Sequence, residues 1–244
     1  SPIEAKGDPL SMLRRALRTG RCEIRPESYV TDITTDATGG RATGVRYVDA
    51  RRDVVEVRAR HVILAAGAFE TPRLLLLSGH GNSSGTVGRH LTYHFQTLTV
   101  GGFPFQLYGE RGRAVTHAHD DFIVGDAASA AEARDAGLPW IRGGLVEHGS
   151  GSGPLTEATS YGPGAHHAAA MRDSSLRRRM WVFTLQGEDL CQPTNRVDLD
   201  PTVRDAWGRP VGRATYRPHR HELVTSAHYA PIMEAMLRDA GAEW

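Results

Sequence analysis

The apolar and polar positions change rhythm several times along the chain. In DPLSMLRRALRT, residues 8–19, Leu10, Leu13, Ala16 and Leu17 recur at helical spacing. Ser11 sits near the start as a cap and Gly20 where a helix would stop, so a helix is predicted there. Four short stretches follow, CEIRPESYV, VTDITTD, ATGVRYVDA and VVEVRARHV, each rich in β-branched residues. With Gly39-Gly40 and Arg51-Arg52-Asp53 at turns, they predict a β-meander.

The meander runs into HVILAAGAFETPRLLLLSGHG, residues 61–81. Val62, Ile63 and Leu64 are consecutive, not alternating, which predicts a strand buried on both faces, as parallel strands are. Gly67 offers backbone with no side chain in the way, Thr71 reads as a helix cap and Pro72 as the first helical position. Leu74 to Leu77 predict a helix apolar on nearly every side and packed inside, ended by Ser78-Gly79. A strand, glycine turn and helix in this order can bring backbone to a ligand. Any doubly wound fold also contains such a turn, and the pattern alone leaves both readings open.

From Phe95 to Arg179 the rhythm weakens. GGFPFQLYGERGR, GLPWIRGGLVEHGSGSGPL and YGPGAHH are rich in glycine and proline, and AASAAEARDAGL is a brief helical patch. The region reads as an irregular sheet with long loops, a style suited to enclosing a substrate. Regularity returns with the strand MWVFTLQGE, then NRVDLDP, the turn DAWGRP, VGRATYRP and a helix over HELVTSAHYAPIMEAMLRDAG, which Pro231 should kink or restart.

Composition narrows the function classes. The 244 residues carry 29 Lys plus Arg against 28 Asp plus Glu, which gives no electrostatic reason to expect a nucleic-acid partner. Arg177-Arg178-Arg179 reads as a solvated edge of a strand or helix. Cys22 and Cys191 lie far apart and support neither a disulfide framework nor a zinc site, so a reducing compartment is the default. No apolar run approaches the roughly 18 residues of a membrane-spanning helix. The chain opens on Ser1-Pro2-Ile3 without an initiator Met, as a processed chain or a piece of one would.

The dinucleotide fingerprint G-x-G-x-x-G is absent. Gly79-His80-Gly81 with Gly85 has the wrong spacing and follows a helix, so it reads as a loop. No P-loop, H-E-x-x-H or G-x-S-x-G occurs. Among twelve histidines, the pairs His117-x-His119 and His219-x-His221 would each share a strand face, but neither has a clear third ligand, and no metal is expected. His166-His167 reads as a loop. His94 and His228 are candidate bases that nothing local orients.

GAFETPRLLLLSGHG resembles the second signature of the glucose–methanol–choline (GMC) flavin oxidoreductases, a Gly-Ala-x-x-(Ser/Thr)-Pro-x-Leu-Leu stretch ending in Ser-Gly. His80 departs from it, standing where that family usually has an aliphatic residue. CEIRPESYVTDI, GVRYVDA and QPTNRVDLD with DAWGRP resemble further segments in the family's order. GTVGRHLTYH is similar to its V-G-x-N-L-x-D-H segment, with His90 and Tyr93 replacing the usual Asn and Asp. THAHDDFIVGD resembles the bacterial sugar- and gluconate-dehydrogenase-like branch.

The resemblance implies an α/β chain, α+β overall. Residues 1–94 would be part of an FAD-binding, Rossmann-like domain with a β-meander. Residues 95–244 would be part of a mostly antiparallel-sheet substrate domain. The backbone near Val30 would lie against the adenine of FAD, Ala65, Ala66 and Gly67 would line its adenosine side, and Thr71 would support the turn. The reaction implied is oxidation of a small alcohol or sugar hydroxyl, with the electron acceptor left open. The resemblance also implies an internal portion of such an enzyme, with the pyrophosphate fingerprint before it and the catalytic histidine after it, hence no catalytic residue and little activity in this chain alone. Two other readings stand beside it: a non-catalytic module completing a flavoenzyme with another chain, and an unrelated α/β binding domain.

Overall fold

The computed structural model describes residues 9–111, 115–150 and 153–244. The chain divides into two compact units, one of residues 1–88 with 197–213, the other of 89–196 with 214–244.

The first unit begins with helix α1, Pro9–Arg18, where the helical spacing predicts it. Three of the four β-rich stretches then form strands: β1 (Tyr29–Thr35), β2 (Ala42–Val48) and β3 (Val54–Arg58), paired antiparallel in chain order as a meander. Residues 22–25, at the start of the first stretch, form no strand. Ile33 and Tyr47 are buried within this small sheet, and Gly44 lets β2 and β3 approach. A Cβ at Gly44 would stand 2.1 Å from the Val57 carbonyl oxygen.

Beyond β3 the structure corrects the sequence reading. Residues 61–64 form no strand, and Ile63 is 88% exposed. Consecutive apolar residues become a buried strand only when neighbours take up their backbone groups, and no described strand pairs with this segment. Helix α2, Gly67–Ser78, starts five residues earlier than predicted. Its N-cap is Ala66, with no side-chain hydrogen bond, so Thr71 does not cap it and Pro72 lies inside it. Gly67 sits at φ 82°, a turn into the helix that glycine takes without strain. Leu74 to Leu77 are only partly buried, and the buried residue of this helix is Arg73. Gly79, left-handed at φ 70°, ends the helix as expected. The Ser78 hydroxyl accepts from the Ile33 amide and ties the helix to β1.

The second unit is built on a four-stranded antiparallel sheet. Its strands are β4 (Gln96–Gly102), β5 (Val115–His119), β6 (Gly144–Ser150) and β7 (Met180–Gly187), in the order β4-β7-β6-β5. Helix α3, Ala127–Asp135, fills the predicted helical patch, with Asp126 and Ser129 forming a reciprocal capping box. Three short helices, α4 (Pro154–Ser160), α5 (Ala165–Arg172) and α6 (Ser175–Arg179), join β6 to β7. His166 and His167 therefore lie on a helix, not in a loop. Arg177 is not a solvated edge either: it is 4% exposed and pairs with the buried Glu157 at 2.9 Å. Ser174 donates to the same carboxylate, and the Met171 carbonyl accepts from Arg177 at 2.9 Å. A charge so buried is tolerated because each group of the cluster has partners.

The two-stranded sheet β8 (Arg196–Arg204) and β9 (Pro210–Thr215) turns at Asp205–Arg209, and residues 197–213 of it belong to the first unit. Helix α7, Arg220–Asp239, closes the second unit, burying Tyr229, Met233 and Leu237 with Phe183, Leu185 and Val146 of the sheet. It runs unbroken through Pro231. Pro231 and Ala227, the residue whose carbonyl it leaves unpaired, are both exposed, so water can serve that carbonyl. Helix and sheet approach closely at Gly101, where a Cβ would stand 3.3 Å from that of Leu237.

Candidate cofactor site

A concavity of about 420 Å³ lies on the first unit, lined by Val30, Val45, Val57, Ile63, Ala65 and Ala66 among others. Three elements build it. β1 supplies Val30 as an outer strand of the meander, the extended segment after β3 supplies the alanines, and Leu74 of α2 closes one side. Its walls are almost wholly apolar. Ala65, Ala66 and Gly67 are exposed, and a Cβ at Gly67 would meet nothing within 4 Å. Small residues therefore leave open space at the start of α2, where the first-turn amides have no capping side chain.

Of the five residues expected at a cofactor, Val30, Ala65 and Ala66 share this concavity. Gly67 follows them directly in the chain. Thr71 lies a turn further along α2, partly buried and outside the lining. The arrangement suits a flat heteroaromatic group, since apolar walls cover its faces and backbone groups on an outer strand can meet its edge.

A polar network that sequence reasoning missed fixes α2 in this unit. Arg73, 5% exposed, donates to Asp205 at 2.6 Å, to Glu70 at 2.9 Å and to the Pro210 carbonyl at 2.8 Å. Asp205 also accepts from the Tyr29 hydroxyl at 2.8 Å and from the Trp207 and Arg209 amides. Burial by itself would raise the Asp205 carboxyl, but hydrogen bonds from the Arg209 amide, Tyr29 and Arg73 outweigh it and hold the group well below the usual carboxylate range. The turn DAWGRP is thus bound to both α2 and β1. One signal was available: a lone arginine ahead of four leucines implies a buried partner.

No group of three or more His, Cys, Asp or Glu side chains suited to a metal occurs among the described residues. His119 does not join His117 as a chelating pair; its Nδ1 lies 2.6 Å from Nε2 of His148. Burial, with His119 and His117 nearby, pushes the His148 pKa down. His219 caps α7 by accepting from the His221 amide, and His221 is buried with its ring edge-on to Trp140. His94 is exposed at φ 63°. His228 sits edge-on to Tyr229 with Nε2 buried and without a partner.

Part of the chain is similar to known oxidoreductases. Residues 5–96 match the family model described as GMC oxidoreductase, the family that the motifs of this chain resemble. Among curated relatives, it is 28% identical over 222 residues to a 2-methyl-1,2-propanediol dehydrogenase of Mycolicibacterium austroafricanum, covering 83% of this chain and 37% of that one. It is 29% identical to the gluconate 2-dehydrogenase flavoprotein of Pantoea cypripedii, with coverages of 87% and 36%. It is also 29% identical to the fructose dehydrogenase large subunit of Gluconobacter japonicus, with coverages of 88% and 39%. The chain thus spans well under half the length of these relatives. A solved formate oxidase from Aspergillus oryzae, in a study of its FAD modification, shares the fold over 91% of this chain and 44% of its own, with TM-score 0.61 at 15% identity.

Proposed function

We propose that this chain contributes the adenosine-binding wall of an FAD-dependent oxidoreductase that oxidises the hydroxyl of a small alcohol or sugar. The observation that carries the reading is the gathering of Val30, Ala65 and Ala66 around one apolar concavity beside the uncapped start of α2. The named dehydrogenases act on a diol, on gluconate and on fructose, which supports the substrate class.

In this reading residues 1–94 serve the cofactor and residues 95–244 the substrate. Val30 and the two alanines hold the adenosine side, Gly67 keeps the turn clear of side chain, and Thr71 supports the turn from the following one. FAD when bound supplies the hydride acceptor for the CH–OH carbon. The chain's part is to exclude water from the adenine and fix its position. No histidine of the chain is assigned as the base.

Replacing Ala66 with Val tests the assignment. It narrows the concavity at a residue of ordinary backbone conformation, φ −88°. FAD affinity, read by titration, should fall at least several-fold with the fold intact by circular dichroism. Gly67→Val should act in the same direction, but it adds the strain of a branched residue at φ 82°. Unchanged flavin affinity in Ala66→Val would remove the concavity from the cofactor site.

A further inference from the structure

We propose that a second groove on the first unit, about 590 Å³ in volume, is a saccharide-binding site separate from the cofactor concavity. It is lined by Glu27, Tyr29, Asp49, Arg52 and Trp207 among others, and shares no lining residue with that concavity.

Its floor is an aromatic platform. Trp207 lies on Tyr29 with ring centroids 4.1 Å apart and planes 7° from parallel, yet remains 48% exposed. One indole face is used by the stack, and the rest of the half-exposed ring lines the groove. The platform is rigid, because Asp205 holds both the Tyr29 hydroxyl, at 2.8 Å, and the Trp207 amide, at 2.9 Å. A rigid ring presents contact area at little cost in conformational entropy.

Charged groups around the platform are available to a ligand. Glu27 and Arg52 stand at φ 50° and 69°, left-handed conformations that bulky non-glycine residues rarely adopt. Neither side chain is engaged by any described hydrogen bond or ion pair. The Arg51 and Asp53 amides both donate to Oδ1 of Asp49, which leaves its Oδ2 for other donors. Two strained residues holding unused charges on one groove fit a binding role better than a folding one.

These groups select the ligand chemistry. Carboxylates accept from hydroxyls, a guanidinium donates to them, and an exposed indole surface takes the C–H face of a sugar ring. Two carboxylates beside one guanidinium disfavour an anionic ligand. The aromatic surface is one-sided, so a planar base could not be sandwiched. A neutral pyranose satisfies all of these groups at once. The proposal stands whether or not the cofactor reading is correct.

The test is a titration of the 244-residue chain with methyl glucoside and with maltotriose, read by ligand-observed saturation-transfer NMR. Saturable binding in the millimolar range is expected, weakened at least tenfold by Trp207→Ala. Glu27→Gln, at an exposed position, should weaken it several-fold with unchanged circular dichroism. Arg52→Gly should weaken binding while raising the thermal midpoint, because glycine relieves the left-handed strain. Absence of saturable binding would overturn the proposal, as would affinity unchanged in both Trp207→Ala and Glu27→Gln. Adenosine binding in this groove as tightly as the sugars would overturn it too, by showing a site for planar rings.

Discussion

Removing the Asp205 carboxylate should cost the first unit about 3 kcal/mol. The Arg73 side chain is 6% exposed and that of Asp205 14%, at a separation of 2.6 Å. Deleting one member of so buried a pair typically costs about 3–5 kcal/mol, since the other charge is left without its partner. Arg73 keeps Glu70 and the Pro210 carbonyl, which places Asp205→Ala at the lower end of that range. Asp205→Asn can retain an acceptor for the turn amides and should lose roughly half as much. The carboxyl is depressed in the folded chain, so its contribution is present above the unfolded value of about 3.9 and disappears as pH falls through the folded value. Urea unfolding followed by circular dichroism at neutral pH, and repeated below about pH 4, reads both effects. A loss under about 1 kcal/mol for Asp205→Ala at neutral pH would refute the reasoning.

Two further substitutions probe the backbone. Gly88 stands at φ 78°, and a Cβ there would lie 2.0 Å from the Val197 carbonyl oxygen, so Gly88→Ala should destabilise by more than about 2 kcal/mol in the same urea assay. Pro231→Ala should stabilise by roughly 1–3 kcal/mol, because the helix already continues through this exposed position and regains a hydrogen bond; a lower midpoint would count against that.

Much of the fold was legible where a local pattern also had a local partner. The first helix, the meander, the helix after Asp126 and the long last helix all satisfy their own backbone groups or pair with the next strand in sequence. Val62, Ile63 and Leu64 were misread because strand formation depends on neighbours, and an apolar run does not reveal whether they are present. The start of α2 was misplaced because Thr71-Pro72 is a good local start signal, while a glycine at φ 82° opened the helix earlier. Arg177 reads as surface in a row of arginines, and only folding brings Glu157 to it across twenty residues. In the candidate site, Val30 and the alanines were reached through family resemblance. The Arg73–Asp205 tie was not, since its members lie 132 residues apart.

The most direct test of the central claim is an NMR titration of the ¹⁵N-labelled chain with FAD, with adenosine as competitor. The sequence has no pyrophosphate fingerprint, so binding should be weak, and the purified chain should lack a flavin band near about 450 nm and reduce no dye with glucose, gluconate or choline. FAD and adenosine should shift the same amides, those of Val30, Ala65, Ala66 and Gly67, and adenosine should displace FAD. Shifts elsewhere with these four unmoved, or a yellow preparation with stoichiometric FAD that adenosine cannot displace, would contradict the claim that this chain offers an adenosine-binding wall.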